Sequence, residues 1–245
     1  LLDAGAQWAA SAAEAAAASG VLCLCLSDDA AVRAVLETAS SGLQRGSLVI
    51  DFSTISPATS QTLASQLAQR GVHYIDAPVT GGTEGARAGS LSVLVGADPA
   101  DLERAKPLLE IIGGRISHLG PVGAGQQAKA VNQVLVAGSY GAVAEALALG
   151  QRLGLPMPTL LEALRPGAAG SWALSHRADG MLAGDYPLGF KLSLHRKDLA
   201  IALEAARDRG VELPLSERIA AIEDALIAAG LGEHDVSALA EWFRA

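Results

Sequence analysis

The chain has 245 residues, is 50% hydrophobic and only 18% charged, and carries 18 basic against 26 acidic side chains, for a formal net charge of −8. That balance argues against a nucleic-acid or anionic-membrane partner, because the overall field repels phosphate, while a small anionic substrate held by local donors stays open. Length and apolar content suffice for one large core or two smaller ones.

In chain order, an Ala-rich stretch at 11–19 precedes the apolar run 21–26, which reads as a buried strand. Cys23 and Cys25, the only two cysteines, alternate within it and read as core residues. Neighbours two apart on a strand rarely meet disulfide geometry, and no further Cys or paired His completes a metal set. A reducing cytoplasm fits this usage, and no basic segment leads into an apolar signal region. Further β-type runs at 47–51, 73–77, 92–95 and 115–118 alternate with helical patterns, the mark of an α/β sheet built from βαβ units. Beyond Pro121 the strand signals stop, and helical patterns follow one another, punctuated by Pro156, Pro158, Gly170, Pro187, Gly210 and Pro214. The chain therefore divides into an α/β domain at 1–121 and an all-helical domain at 122–245.

Two strand-end loops stand out. Asp51-Phe52-Ser53-Thr54-Ile55-Ser56-Pro57 places hydroxyl side chains just after a strand, the edge where ligands sit in open parallel sheets. Ser56 also suits the N-cap of a helix opening at Pro57. The second loop, Thr80-Gly81-Gly82-Thr83, follows Asp76-Ala77-Pro78-Val79. Tandem glycines expose backbone N–H groups that can cradle a carboxylate, although tight turns need glycine for steric reasons too.

The apolar run 128–150 carries a single lysine, Lys129. On a helix, Gln126, Lys129, Asn132 and Gln133 make a short polar stripe on an otherwise apolar rod. Burial would favour the neutral amine and suit Lys129 to give and take a proton; snorkelling to solvent is the structural alternative. The run approaches membrane length, but Ser139, Tyr140 and Glu145 interrupt it, and Gly138 and Gly141 predict close packing against another helix. Only four lysines occur, Lys106, Lys129, Lys191 and Lys197, against fourteen arginines. His195 and Trp172 are weaker candidates, each with a packing role as the alternative. His73, His118, His176 and His234 have no metal spacing.

Together, Asp51-Phe-Ser-Thr-Ile-Ser-Pro57, Asp76-Ala-Pro-Val-Thr-Gly-Gly82, Gly123-Ala-Gly-Gln-Gln-Ala-Lys129-Ala-Val-Asn-Gln133 and Phe190-Lys-Leu-Ser-Leu-His-Arg-Lys197-Asp198-Leu199 resemble the β-hydroxyacid dehydrogenases. That family includes 3-hydroxyisobutyrate dehydrogenase, tartronate semialdehyde reductase and the glyoxylate/succinic semialdehyde reductases. Four motifs in order span nearly the whole chain. The resemblance implies a Rossmann-type domain followed by an all-α C-terminal domain joined to it by a long helix, an NAD or NADP cofactor, and a homodimer or homotetramer. It also implies that the second domain serves substrate binding and oligomerisation. By position it implies Lys129 as the catalytic acid/base, Thr80, Gly81, Gly82, Asn132 and Gln133 as substrate-binding residues, and Leu26, Ser27, Thr54 and Lys197 as cofactor contacts. It implies no metal. The expected reaction interconverts a small 3-hydroxy acid and its semialdehyde. Asn132-Gln133 in place of Asn-Asn resembles the tartronate semialdehyde reductase branch, and Thr80 stands where Ser is common.

The family pattern begins with a strand, a Gly-x-Gly-x-x-Gly turn and a second strand, and this sequence opens after such a unit, on the order of 30–40 residues. The Rossmann-type domain is thus expected to be N-terminally incomplete and to bind cofactor poorly, without the residues that separate NAD from NADP. A catalytically inactive remnant acting as an oligomerisation or interaction domain stands as the alternative to an active enzyme. Retention of Lys129, Thr80-Gly81-Gly82 and Lys197 favours the enzyme. Lys129 also counts against imine reductases, which share the architecture but commonly replace the lysine. A 6-phosphogluconate dehydrogenase would need a longer helical domain.

Overall fold

The structure, a computed structural model, describes residues 2–244. The chain divides into two compact units, Leu1–Lys129 and Ala130–Ala245. In the first unit, strands β1 (Val21–Leu24), β2 (Leu48–Asp51), β3 (His73–Asp76), β4 (Val79–Thr80), β5 (Leu91–Gly96) and β6 (Gly113–Gly120) form one sheet. The order is β1-β2-β3-β5-β4, and β6 also pairs with β5. β1, β2 and β3 are mutually parallel, β5 runs antiparallel to β3 and β4, and β6 is parallel to β5.

Side-chain alternation along the strands divides the core in two. On one side Leu24, Val49 and Tyr74 pack with Ala16 of α1 (Ala12–Ala17), Val32 and Leu36 of α2 (Asp29–Ala39), and Leu63 of α3 (Pro57–Ala68). On the other, Leu48, Ile50, Ile75 and Val93 pack with Ala105 and Leu109 of α5 (Pro99–Ile112). Helix α4 (Gly82–Ala88) lies between β4 and β5 in the chain. β2 is buried at all four residues, as a parallel strand covered on both faces should be. The registers pair Leu24 with Asp51 and Asp51 with Asp76, so the carboxyl ends of β1 to β3 lie level.

One local expectation is corrected, and another is met in position without its side-chain bond. Cys23 and Cys25 are exposed rather than core residues. Among the described residues β1 pairs with β2 alone, and α1 and α2 cover its Leu22 and Leu24 side; on the other side Val21 is partly covered and Cys23 is not. Ser56 occupies the N-cap position of α3 but makes no side-chain capping bond; its backbone N–H instead donates to the Asp29 carboxylate at 3.1 Å.

The second unit is helical. Helix α6 (Ala124–Arg152) runs on into it from the first unit, followed by α7 (Met157–Leu164), α8 (Trp172–His176), α9 (Ala178–Ala183), α10 (Leu192–Asp208) and α11 (Pro214–Leu226). By length and composition α6 could cross a membrane, yet Ala137, Tyr140, Ala144 and Leu147 pack into the helical core with Leu161, Met181, Leu199 and Ile219. Gly141 is a close-approach point, as its sequence context implies: a Cβ there would lie 2.3 Å from Ile219 Cδ1.

Gly42 shows how tightly the first unit is closed. A Cβ at this buried position would sit 2.0 Å from the Ala13 carbonyl oxygen, a backbone atom that cannot rotate away. Gly42→Ala should therefore destabilise the fold by about 1–3 kcal/mol, read as a lower midpoint in thermal unfolding; an unchanged midpoint would show that α1 yields there.

Candidate active site

At the level carboxyl ends of the parallel strands, backbone turns are held by buried side chains. Asp51 ends β2 fully buried; its Oδ1 accepts the Ser53 N–H at 2.9 Å and its Oδ2 the Tyr74 hydroxyl at 2.8 Å. Burial pushes both the Asp51 carboxyl and the Tyr74 phenol up from their ordinary values. Ser53 Oγ in turn accepts the Leu26 N–H at 2.9 Å, tying the loop after β1 to the loop after β2. Thus Leu26, Ser27 and Thr54 all lie at two adjoining strand ends. Ser27 is exposed and donates to Asp28, while Leu26 and Thr54 are half-buried.

Gln126, in the first turn of α6, reaches the same edge. Its amide donates to the Ser53 carbonyl at 2.8 Å and accepts the Ile55 N–H at 3.2 Å, so Thr54 is flanked on both sides by backbone bound to one buried glutamine. One turn further along α6, Lys129 is only 8% exposed, and its Nζ donates to the Val79 carbonyl at 2.9 Å. The snorkelling alternative is therefore set aside. Val79 and Thr80 form β4, and Gly81 and Gly82 follow with φ of +134° and +64°, conformations that favour glycine. The lysine and the Thr80-Gly81-Gly82 turn thus meet through the backbone within the first unit.

Behind them lies Asp76, at the end of β3 and fully buried. Its Oδ1 accepts the Gly123 N–H at 2.7 Å and its Oδ2 the Gln126 N–H at 2.8 Å. Burial pushes the Asp76 carboxyl up to about 6, with these backbone bonds pulling the other way. The segment Gly123-Ala124-Gly125-Gln126-Gln127-Ala128 has the spacing of a dinucleotide-binding turn at a helix start. Here the carboxylate of Asp76 takes the position an anion would need, so this turn is not a phosphate site.

In the second unit the remaining residues form a chain of polar contacts. Asn132 Nδ2 donates to Gln133 Oε1 at 2.7 Å, and Gln133 Nε2 donates to Asp198 Oδ2 at 2.7 Å. Lys197 Nζ lies 2.8 Å from Asp198 Oδ1. Gln133 and Asp198 are almost completely buried. Asp198 was visible in sequence only as part of a motif, and its role as the joint between Gln133 and Lys197 emerges only from the fold. His195 is fully buried and pairs through Nδ1 with the equally buried Glu223 of α11, with Phe190 edge-on at 5.8 Å. Trp172 stacks on His176, their rings 4.6 Å apart, under the Arg177 guanidinium. Among the described residues, no group of three His, Cys, Asp or Glu could hold a metal ion.

Known proteins match this chain over most of its length. Residues 1–120 match the family described as the NAD binding domain of 6-phosphogluconate dehydrogenase, and residues 123–243 that described as NAD-binding of NADP-dependent 3-hydroxyisobutyrate dehydrogenase. The 2-hydroxy-3-oxopropionate reductase of Escherichia coli is 35% identical over 98% of this chain and 84% of its own length. The chain belongs to the β-hydroxyacid dehydrogenases. The 2-(hydroxymethyl)glutarate dehydrogenase of Eubacterium barkeri is 38% identical over 81% of the chain, which spans 66% of that relative. Among solved structures, a 3-hydroxyisobutyrate dehydrogenase of Mycobacterium tuberculosis with L-serine superposes with a TM-score of 0.87 at 33% identity, over 97% of this chain and 84% of that one. A β-hydroxyacid dehydrogenase of this kind has an N-terminal Rossmann-type domain, a helical C-terminal domain, and NAD or NADP as its cofactor. Leu26, Ser27 and Thr54 present an apolar side chain and two hydroxyls at the carboxyl edge of the sheet, the edge at which ligands bind in open parallel sheets.

The Asp76 shift has a consequence for stability. Relative to an ordinary unfolded value of ~3.9, a raised folded value makes this group favour the fold most at low pH, and that contribution is lost as pH rises through about 6. In paired thermal melts, wild type should therefore lose stability relative to Asp76→Asn between about pH 5 and about pH 7; a difference that grows in favour of wild type over that range would contradict the shift.

Proposed function

We propose that this chain catalyses NAD(P)-dependent interconversion of a small 3-hydroxy acid and its semialdehyde, with substrates of the tartronate semialdehyde, succinic semialdehyde/glyoxylate or 3-hydroxyisobutyrate type. The observation that carries the reading is the buried Lys129 ammonium, bonded to the residue that precedes Thr80-Gly81-Gly82. A bound nicotinamide supplies or accepts the hydride. The chain's own residues handle the rest of the chemistry.

In reduction, hydride addition to the semialdehyde carbon leaves negative charge on its oxygen, and Lys129 stabilises that charge and delivers a proton to it. In oxidation, Lys129 takes the hydroxyl proton as the C–H electron pair leaves as hydride. The exposed backbone N–H groups at Gly81 and Gly82, with the Thr80 hydroxyl, suit a substrate carboxylate without a cationic side chain. Asn132 and Gln133 supply amides for the substrate's polar groups, with Gln133 oriented by Asp198. Lys197 is a cationic contact for the cofactor, and Leu26, Ser27 and Thr54 line its edge.

Replacing Lys129 by Ala should lower kcat by about 10²–10⁴-fold with little change in cofactor affinity. A variant keeping more than about a tenth of the wild-type rate would remove Lys129 from the acid/base role. A bulky residue at Gly82, where φ is +64° and a Cβ would lie 2.8 Å from the Glu84 carboxylate, should raise KM for the acid substrate before it lowers kcat. Steady-state kinetics checks this, and an unchanged KM would free the loop from any part in carboxylate binding.

A further inference from the structure

Two clamps join β3–β4 to α6 at matched intervals. Asp76 binds Gln126 through a backbone N–H, and Val79, three residues on, receives Lys129, also three residues on. The first clamp is a built site. A Cβ on Gly96 would lie 2.4 Å from Asp76 Oδ1, and one on Gly125 would lie 2.8 Å from Oδ2 and 2.4 Å from the Leu94 carbonyl oxygen. Gly123, whose N–H is the other donor, has φ of +97°. Gly96 and Gly125 thus leave room for one carboxylate, Gly123 turns its N–H toward it, and the carboxylate fills the space.

An ordinary N-cap comes from the residue next to the helix and satisfies its first turn locally. Asp76 stands 47 and 50 residues away from the two N–H groups that it accepts. The link therefore does more than end a helix: it sets where α6 lies along the strand that leads to Val79, Thr80, Gly81 and Gly82. Charge-assisted bonds to backbone donors are short and directional, and the helix dipole adds to them. Sliding α6 by a fraction of a turn would carry the Lys129 ammonium away from the Val79 carbonyl and from the turn beside it.

We infer that Asp76 is a positioning residue for the reaction, holding the first turn of α6 so that Lys129 meets the Val79–Gly82 segment in reactive geometry. This inference rests on the reading of Lys129 as the acid/base. Asp76 touches no reacting atom and acts only through the lysine. Asn in its place keeps the volume but turns an NH₂ toward one of two N–H donors, so one bond is lost and two donors face each other.

The test is a double-mutant cycle in the whole protein with bound cofactor. Asp76→Asn should lower kcat on the order of 10²-fold, the scale of a small misplacement of a catalytic group, with cofactor affinity by fluorescence titration and substrate KM nearly unchanged. In a Lys129→Ala background the same substitution should cost less than about threefold, because no lysine remains to be placed. An equal cost in both backgrounds, or a full wild-type rate for Asp76→Asn, overturns the inference. If Asp76→Asn yields no folded protein, Gly96→Ala displaces the carboxylate without removing it, and its cost is read in the same two backgrounds. The underlying reading fails separately, by a Lys129→Ala single variant that keeps its activity.

Discussion

An ammonium held 8% exposed on an apolar helix needs a partner that the fold cannot easily withdraw, and for Lys129 the backbone carbonyl of Val79 is one. A carbonyl offers a dipole without a charge, and this one ties the lysine to the short strand that leads into the Thr80-Gly81-Gly82 turn. The arrangement depends on the carboxyl edge of the sheet. Parallel pairing brings the ends of β1, β2 and β3 level, and each end is fixed by a buried side chain: Ser53 on Leu26, Asp51 on Ser53, Asp76 on α6. Two fully buried carboxylates stand there, and Asp51 adds to the burial that opposes the ionisation of Asp76. Their desolvation is offset by donors that only this chain path supplies.

The helical unit repeats the logic with side chains. Asp198 receives Gln133 on one oxygen and Lys197 on the other, so an amide and an ammonium share a single buried carboxylate. A buried carboxylate with a partner on each oxygen is held rigidly, whereas removal of either partner would leave one oxygen without its bond. His195 and Glu223 form a separate buried pair between α10 and α11, a packing element of the helical core.

Much of this was legible in sequence. The strand runs fall on β1, β2, β3, β5 and β6, because apolar runs bounded by turn residues are a local signal. The two residues of β4 are too few to carry a period and were not visible. The lysine on its apolar run and the Thr80-Gly81-Gly82 turn could be picked out by residue type alone. Asp76 and Asp198 could not be assigned roles, since Asp76 acts on groups 47 and 50 residues away and Asp198 on one 65 residues away, and these partners are backbone N–H groups or an amide with no sequence mark. Cys23 and Cys25 were misplaced because alternation shows that two faces exist but not which of them another element covers.

A semialdehyde reduced at a site built from Lys129 and the turn beside it should be held there by its carboxylate. The most direct measurement is the rate at which the protein consumes reduced nicotinamide cofactor when given a three-carbon semialdehyde acid and, separately, its methyl ester. The acid should turn over, and the ester, which keeps the carbonyl but loses the charge, should react far more slowly. Equal rates for the two, or no turnover of the acid, would contradict this.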